Sequence, residues 1–222
     1  MKKLVCIGGG EIPRYKNGKL LPYETKEIDE EIVRLTNKDN PKLLFISIAS
    51  SHPEEYFNGI KEVFEKLGCT VLHLDINKAH EQIKSEILNA DIIYIGGGNT
   101  KYLVEQLKVK EIDKLLIQAY NNGIVCSGLS AGSYCWFKCN YDLIEGMNVI
   151  SAVNCVHYDQ KDIIAKEKLY NAVKDKNIIG YAIDNCVALE FINEEVKVIK
   201  SNSKRNAYKI SCIDNKIIEE KI

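Results

Sequence analysis

A serine in a turn between two structured segments is the strongest chemical signal in the sequence. Residues 128–132 read Gly-Leu-Ser-Ala-Gly, following the apolar run 124–126 and preceding the helix-compatible stretch 133–137. A sharp strand-to-helix turn of this kind exposes the serine oxygen at a sheet edge, and glycines leave room for a substrate carbonyl. Ser130 is therefore predicted to be a hydrolase nucleophile. The pentapeptide alone is also compatible with a glycine-rich turn that has no chemistry.

A histidine later in the chain is the best candidate for the base. A serine hydroxyl is a weak nucleophile until a base accepts its proton, and the pKa of histidine lies near working pH. Four histidines are available, and His157 is favoured because it ends a strand-like segment after Ser130. His52 follows the second predicted strand and could border the same site.

The base also needs a carboxylate that fixes its tautomer and stabilises the imidazolium. Asp142, Glu145 and Asp159 are all close in sequence. Asp142 and Glu145 lie between the serine and the histidine, which is the chain order common among α/β hydrolases. The sequence does not choose between these two acids.

A second glycine-rich turn is predicted at the same sheet edge. Residues 96–100 read Gly-Gly-Gly-Asn-Thr, directly after the segment 91–95 and before the helix-like stretch 102–107. One backbone N–H there and one at Ala131 would form an oxyanion hole with two donors. A phosphate-binding turn is the alternative, but Lys101 occupies the position of the last glycine in that pattern.

Strand-like and helix-like runs alternate through the first two thirds of the chain, which predicts a mostly parallel sheet with helices on both faces. After residue 157 the pattern changes to C-terminal strands and hairpins, with turns predicted at Asn193-Glu194 and Asp214-Asn215. The early strand-like runs are residues 4–7, 43–48, 70–74 and 92–95. The early helix-like runs are residues 26–35, 54–67, 80–88 and 111–120.

Length and charge limit the classes of function. The 222 residues fit one α/β domain, residues 1–222, and 30 basic against 31 acidic residues give no case for nucleic acid binding. The apolar run 4–7 is too short for a signal peptide or a membrane span, so we expect a cytoplasmic protein without a membrane partner. The expected partner is a small peptide substrate, and assembly into a homodimer stays open.

The eight cysteines are scattered singly, which favours buried reduced thiols over disulfides. Cys135 and Cys139 could share a helix face, but no histidine or second cysteine pair completes a zinc pattern. We therefore expect neither a metal ion nor another cofactor.

Taken together in this order, these motifs resemble the S51 peptidase family, the dipeptidase E and cyanophycinase group. The resemblance covers most of the chain and implies a class I glutamine amidotransferase-like α/β fold. Cys135-Trp136-Phe137 after the serine turn is most similar to the peptidase E-like branch. The resemblance rests on Ile7 to Glu11, Thr25 to Ile32 with its Ile28-Asp29 pair, Gly96 to Thr100, Gly128 to Ser133 and His157-Tyr158-Asp159.

The resemblance also implies roles for individual residues. Ser130 would be the nucleophile, His157 the general base, and the N–H groups of Gly98 and Ala131 the oxyanion hole. In the same turn Gly97 and Asn99 are expected to contact substrate. Family members often have proline directly before the histidine, where this chain has Val156. The acid varies within the family, and Asp142 is modestly favoured over Glu145.

The resemblance implies hydrolysis of short peptides through an acyl-enzyme, with N-terminal aspartyl dipeptides as substrates. Two alternatives remain at this stage. An ordinary α/β esterase would share the serine turn, but its histidine usually lies much farther along the chain. A non-catalytic ligand-binding domain of the same fold would keep the glycine turns for packing.

Overall fold

The structure is a computed structural model that describes residues 1–16, 18–193 and 195–222. The strands are β1 (Lys3–Ile7), β2 (Tyr15–Lys16), β3 (Lys19–Leu20), β4 (Lys42–Ile46), β5 (Thr70–His73), β6 (Ile92–Ile95), β7 (Val125–Leu129), β8 (Phe137–Asn140), β9 (Ile150–Val156), β10 (Gly180–Ile183), β11 (Val187–Ile192), β12 (Glu195–Lys200), β13 (Ala207–Ile213) and β14 (Lys216–Lys221). The helices are α1 (Lys26–Arg34), α2 (Pro53–Lys66), α3 (His80–Leu88), α4 (Thr100–Val109), α5 (Ile112–Asn121), α6 (Ala131–Tyr134) and α7 (Ile163–Lys176).

Seven strands form the main sheet, in the order β12-β11-β1-β7-β6-β4-β5. Five of these strands, β1, β7, β6, β4 and β5, pair in parallel. Strands β11 and β12 add an antiparallel edge beside β1. The central strands are continuously apolar because both faces of a parallel sheet are covered. The sequence prediction of a mostly parallel sheet flanked by helices is confirmed.

Helices cover both faces of the main sheet. On one face α1 and α2 bury Ile32 and Phe64 against the sheet, and on the other α3, α4 and α5 bury Ile87, Leu103 and Leu116. Each of these helices carries an apolar stripe at helical spacing, so burial of that stripe is what holds it to the sheet. No helix in the described ranges is both long and apolar enough to cross a membrane.

A second sheet of five strands packs beside the main one, in the order β14-β13-β10-β9-β8. Its strands β8, β9 and β10 run parallel, and α7 buries Leu169 and Val173 against it. The C-terminal hairpin predicted at Asp214-Asn215 is present between β13 and β14. Asn193 lies in the other predicted turn, and Glu194 lies outside the described residues.

The stretch after the serine turn differs from the sequence prediction. A helix-compatible run was expected over residues 133–137, but α6 ends at Tyr134 and Phe137 already belongs to β8. Trp136 and Phe137 are fully buried, and the carbonyl of Trp136 accepts hydrogen bonds from Val149 and Ile150. Tertiary burial of these two aromatic side chains therefore overrides the local helical preference.

The cysteines are free thiols, and seven of the eight are buried, with Cys212 half-buried. Burial raises the pKa of the Cys6 and Cys126 thiols far above their ordinary range, because desolvation disfavours the thiolate. The sequence interpretation of buried reduced thiols agrees with this arrangement.

Candidate active site

The serine turn connects β7 to α6 and holds Ser130 in a strained conformation. The backbone of Ser130 has φ 55° and ψ −113°, which is uncommon for a residue with a side chain. The flanking glycines are required by close packing. A Cβ on Gly128 would lie 2.0 Å from the carbonyl oxygen of Gly132, and one on Gly132 would lie 2.0 Å from that of Ile95. The spacing of the two glycines is thus a steric requirement of packing α6 onto the main sheet.

Ser130 and His157 are brought together from different sheets. His157 directly follows β9 of the second sheet and adopts a left-handed conformation with φ 53°. Its Nε2 atom lies 2.8 Å from the Oγ atom of Ser130, within hydrogen-bond distance. The structure therefore places the two residues as a nucleophile and base pair would require.

The other nitrogen of the histidine contacts an asparagine. The Nδ1 atom of His157 lies 2.6 Å from Oδ1 of Asn185, two residues beyond the end of β10. The backbone N–H of Asn185 donates to Asp159 at 2.8 Å, and its side-chain amide lies 3.3 Å from the same carboxylate. The side chain of Asp159 is 6% exposed and also pairs with Arg205 at 2.7 Å. A connected series of side chains thus runs from Ser130 to Arg205.

The two acids considered from the sequence lie elsewhere. The carboxylate of Asp142 accepts from Lys168 Nζ at 2.8 Å and is 40% exposed, and Glu145 is exposed beside β8. The loop between β8 and β9 folds back along β8, so it does not carry either carboxylate to the Nδ1 atom of His157. The structure places Asn185 at that atom instead. Sequence reasoning missed Asn185 because it considered only carboxylates in this role.

The glycine turn that follows β1, residues 8–10, holds both halves of the site. The last residue of β1 and the two glycines after it each accept a backbone hydrogen bond through the carbonyl oxygen. The carbonyl of Ile7 accepts from Ser130 at 3.0 Å, that of Gly8 from His157 at 3.1 Å, and that of Gly9 from Cys186 at 2.8 Å. A Cβ on Gly9 would lie 2.0 Å from Oδ1 of Asn185 and 2.4 Å from Nδ1 of His157. The turn therefore needs glycine so that the second sheet can approach.

The second glycine turn faces the same edge of the main sheet. Gly98 has φ 143°, and a Cβ there would lie 2.0 Å from the carbonyl oxygen of Ala49. The N–H of Gly97 donates to Tyr56 Oη, and the N–H of Asn99 donates to the carbonyl of Ala49. The N–H of Gly98, between them, makes no hydrogen bond within the described residues. The side chain of Asn99 caps α4 by accepting from Tyr102 N at 3.0 Å. Its expected contact with substrate would thus come in addition to a structural role.

Two cavities meet at Ser130 and His157. The larger has a volume of about 910 Å³ and includes Gly97, Gly98 and Asn185 in its wall. The smaller has a volume of about 320 Å³ and reaches from Asn99 to the second sheet. These volumes span the range of roughly 300–1,000 Å³ that is usual for small-molecule sites. The reactive pair is accessible from both sides.

The larger cavity is strongly charged. Arg14 pairs with Glu11 at 2.8 Å, its guanidinium lies 4.5 Å from the ring centre of Tyr56, and its Nε atom is buried without a hydrogen-bond partner among the described residues. Burial raises the pKa of Tyr56 to about 12. His52 also lines this cavity. Across the described ranges, no three His, Cys, Asp or Glu side chains are grouped as a metal ion would require.

Comparison with known proteins agrees with the motifs. The model of peptidase family S51 matches residues 16–199. The chain is 28% identical to the uncharacterized peptidase YgaJ of Bacillus subtilis (strain 168), over 99% of this chain and 96% of that protein. It is 34% identical to peptidase E of Haemophilus influenzae, over 60% of this chain and 58% of that protein.

A solved structure shows the same fold. The peptidase from an acI-B1 actinobacterium matches with a TM-score of 0.74 at 19% identity, covering 100% of this chain and 96% of that one. The resemblance stated from the sequence motifs is confirmed by these matches. Because the family model spans most of its length, the chain belongs to peptidase family S51 and is a peptidase.

Proposed function

We propose that this peptidase is a serine enzyme that hydrolyses short peptides, N-terminal aspartyl dipeptides above all, through an acyl-enzyme on Ser130. The observation that carries the proposal is the hydrogen-bonded series from Ser130 Oγ to His157 and from His157 to Asn185. The resemblance to dipeptidase E supports the choice of aspartyl substrates.

The orientation of Asn185 supports His157 as a base. A carboxylate only accepts hydrogen bonds, so the amide nitrogen of Asn185 faces Asp159 and the amide oxygen faces His157. That oxygen requires a proton on Nδ1 of the histidine, which leaves Nε2 as the acceptor for the hydroxyl proton of Ser130. Asn185 is thus a positioning residue in the place that an acid takes in many serine hydrolases.

The reaction follows from these positions. As Ser130 Oγ attacks the peptide carbonyl, its proton passes to His157 Nε2, and the same proton then protonates the leaving amine as the C–N bond breaks. A water molecule next transfers a proton to His157 and attacks the ester. Cleavage of the ester returns the proton to Ser130 and releases the first amino acid.

The glycine turns supply the donors for the negative oxygen that forms in each step. The N–H of Gly98 has no partner within the described part of the chain, and Ala131 directly follows the nucleophile. Loss of one such donor typically costs about 10²–10³ in turnover in serine proteases. We assign both N–H groups to the oxyanion hole.

The larger cavity favours a short substrate with a free carboxylate on its leaving residue. Arg205 pairs with Asp159 and Arg14 with Glu11, but the buried Nε of Arg14 has no partner within the described ranges. A guanidinium of this kind binds a carboxylate through parallel hydrogen bonds. We therefore assign Arg14 to the leaving residue's carboxylate, which limits efficient cleavage to dipeptides or short peptides.

A fluorophosphonate probe, which labels activated serines, tests the mechanism. We expect labelling of the wild type, its loss in Ser130→Ala, and a fall in peptide turnover of about 10⁶ in that variant. Near-wild-type turnover by folded Ser130→Ala would exclude the proposal.

A substrate panel then tests the specificity. The panel contains aspartyl dipeptides, their N-acetylated forms, a simple ester and a denatured protein. We expect the rate of cleavage to be highest for the free aspartyl dipeptides and much lower for the others. Efficient cleavage within the denatured protein, or indifference to N-acetylation, would exclude the exopeptidase while leaving the serine mechanism intact.

A further inference from the structure

The smaller cavity contains a buried side chain whose hydrogen bonds are unmade. Asn154 is 1% exposed, and neither its Oδ1 nor its Nδ2 atom has a partner among the residues that the structure describes. A buried amide without partners destabilises the folded state relative to one whose hydrogen bonds are made. Such a cost is expected where a ligand completes the hydrogen bonds.

The sheet geometry places this amide in the wall of the cavity that Ser130 and His157 also line. Alternate residues of a strand face the same side, so Asn154 shares a face of β9 with Val156, and both line the smaller cavity. The neighbouring Asn140 on β8 is already used, because its Oδ1 accepts from the N–H groups of Asp142 and Ile144. Among the described residues that line this cavity, Asn154 thus offers a buried amide whose oxygen and nitrogen are both unpartnered.

We infer that the smaller cavity receives the first residue of the substrate and that Asn154 recognises it, an inference that rests on the proposed function. An N-terminal aspartyl residue offers what the amide lacks: its β-carboxylate accepts from Nδ2, and its α-ammonium group donates to Oδ1. A volume of about 320 Å³ takes one residue of this size and leaves the remainder of the substrate to the larger cavity.

The charges around the cavity favour the carboxylate. Lys101 and Lys161 line it, and the ammonium group of Lys161 donates to Tyr141 at 3.1 Å. The acid in the wall, Asp142, is paired with Lys168. The two lysines thus leave a positive balance beside Asn154, which suits a substrate side chain that carries a negative charge.

The test compares aspartyl-leucine with asparaginyl-leucine, which share a leaving residue and differ only in the first side chain. Asn154→Asp keeps the size of the side chain but sets a carboxylate against that of the substrate. We expect the ratio of kcat/KM for the aspartyl over the asparaginyl dipeptide to fall at least about tenfold. Asn154→Leu, which removes both hydrogen bonds, should lower the same ratio.

Ser201→Ala is the matched control, because Ser201 Oγ is also buried without a partner in the described ranges but lines neither cavity. Its ratio should stay within about twofold of the wild type, as for most neutral substitutions. An unchanged ratio in both Asn154 variants would overturn the inference. So would inactivity of folded Asn154→Asp toward both dipeptides, since Asn154 would then affect the chemistry rather than the choice of side chain.

Two further measurements keep the outcome decisive. If the Asn154 variants do not fold, Lys161→Met replaces them, since Lys161 is only half-buried; an unchanged ratio in that variant would overturn the inference. Fluorophosphonate labelling of the wild type separates the two proposals. Labelling with an unchanged ratio rejects the role of Asn154 alone, whereas absence of labelling rejects the serine mechanism.

Discussion

The two sheets contribute to the site in different ways. The main sheet supplies Ser130 and the Gly98 turn, and both depend on unusual backbone conformations. The strained backbone of Ser130 presents its Oγ atom, and the positive φ of Gly98 presents backbone N–H groups. The second sheet supplies three side chains: His157 and Asn185 contact each other within hydrogen-bond distance, and the amide of Asn154 has no partner among the described residues. The distance between Ser130 and His157 therefore depends on how accurately the two sheets are docked, and backbone hydrogen bonds to the carbonyls of residues 7–9 connect them.

After loss of Ser130 itself, the largest expected effect comes from disturbing the contact between the sheets. In Gly9→Ala the added methyl would lie 2.0 Å from Asn185 Oδ1, so the second sheet must shift. We expect kcat/KM to fall by about 10² or more, because a displacement of 1 Å in a reactive geometry costs that much. Glu105→Ala is the control, since Glu105 is exposed on α4 and lines neither cavity. Equal activities of the two folded variants would show that docking is not limiting.

The next effect concerns the proton on the histidine. Asn185→Ala should lower kcat by about 10–100-fold with little change in KM, as loss of an orienting partner does elsewhere. Asn185→Asp should not exceed the wild type, because two carboxylates would then face each other at Asp159. Adding Asp159→Asn to Asn185→Asp should restore activity. Failure of the double variant to recover would contradict the assignment of Asn185 as the orienting group.

A smaller effect is expected from the acid that the sequence favoured. Asp142→Asn should change kcat by less than about threefold, because Asp142 pairs with Lys168 and does not contact His157. Glu145→Gln should behave alike. Steady-state kinetics beside Asn185→Ala make the comparison direct. A loss in Asp142→Asn as large as that in Asn185→Ala would require a loop movement that brings this acid to the histidine.

The smallest effect concerns stability on the side of the main sheet. Asp29 on α1 is fully buried, accepts from Thr25 Oγ at 2.8 Å, and burial raises its pKa to about 7. Between its unfolded pKa of about 3.9 and this value the folded state binds more protons, so the group lowers stability as pH rises.

In Asp29→Asn this pH-dependent cost disappears. The Tm of the variant relative to the wild type should therefore rise between pH 5 and pH 8, by about 2 °C or more. Thermal unfolding at the two pH values, with Asp39→Asn as an exposed control, measures the difference. A constant difference in Tm would show that Asp29 does not titrate in the folded state. We also expect Asp29→Asn to affect activity at pH 7 less than any variant of the second sheet does.

The sequence by itself determined the local features. The serine turn, the Gly96 to Gly98 turn and the alternation of strands and helices in the first two thirds could be predicted. They depend on short-range requirements: apolar runs, glycine where a side chain would clash, and a helix after a strand. His157 could be identified because few histidines follow a strand in this chain. The role of the Gly8 to Gly10 turn could not be predicted, because the residues that a Cβ on Gly8 or Gly9 would contact are distant in sequence.

Only the tertiary structure decided what stands next to His157 and in the smaller cavity. The parallel pairing of β9 with β10 aligns Val156 with Ile183, so the residues that follow both strands meet at one edge. That pairing carries Asn185 to the histidine from 28 residues away. Sheet register, burial of Trp136 and Phe137, and the unmade hydrogen bonds of Asn154 all arise from contacts distant in sequence, and no local pattern of residue types encodes them.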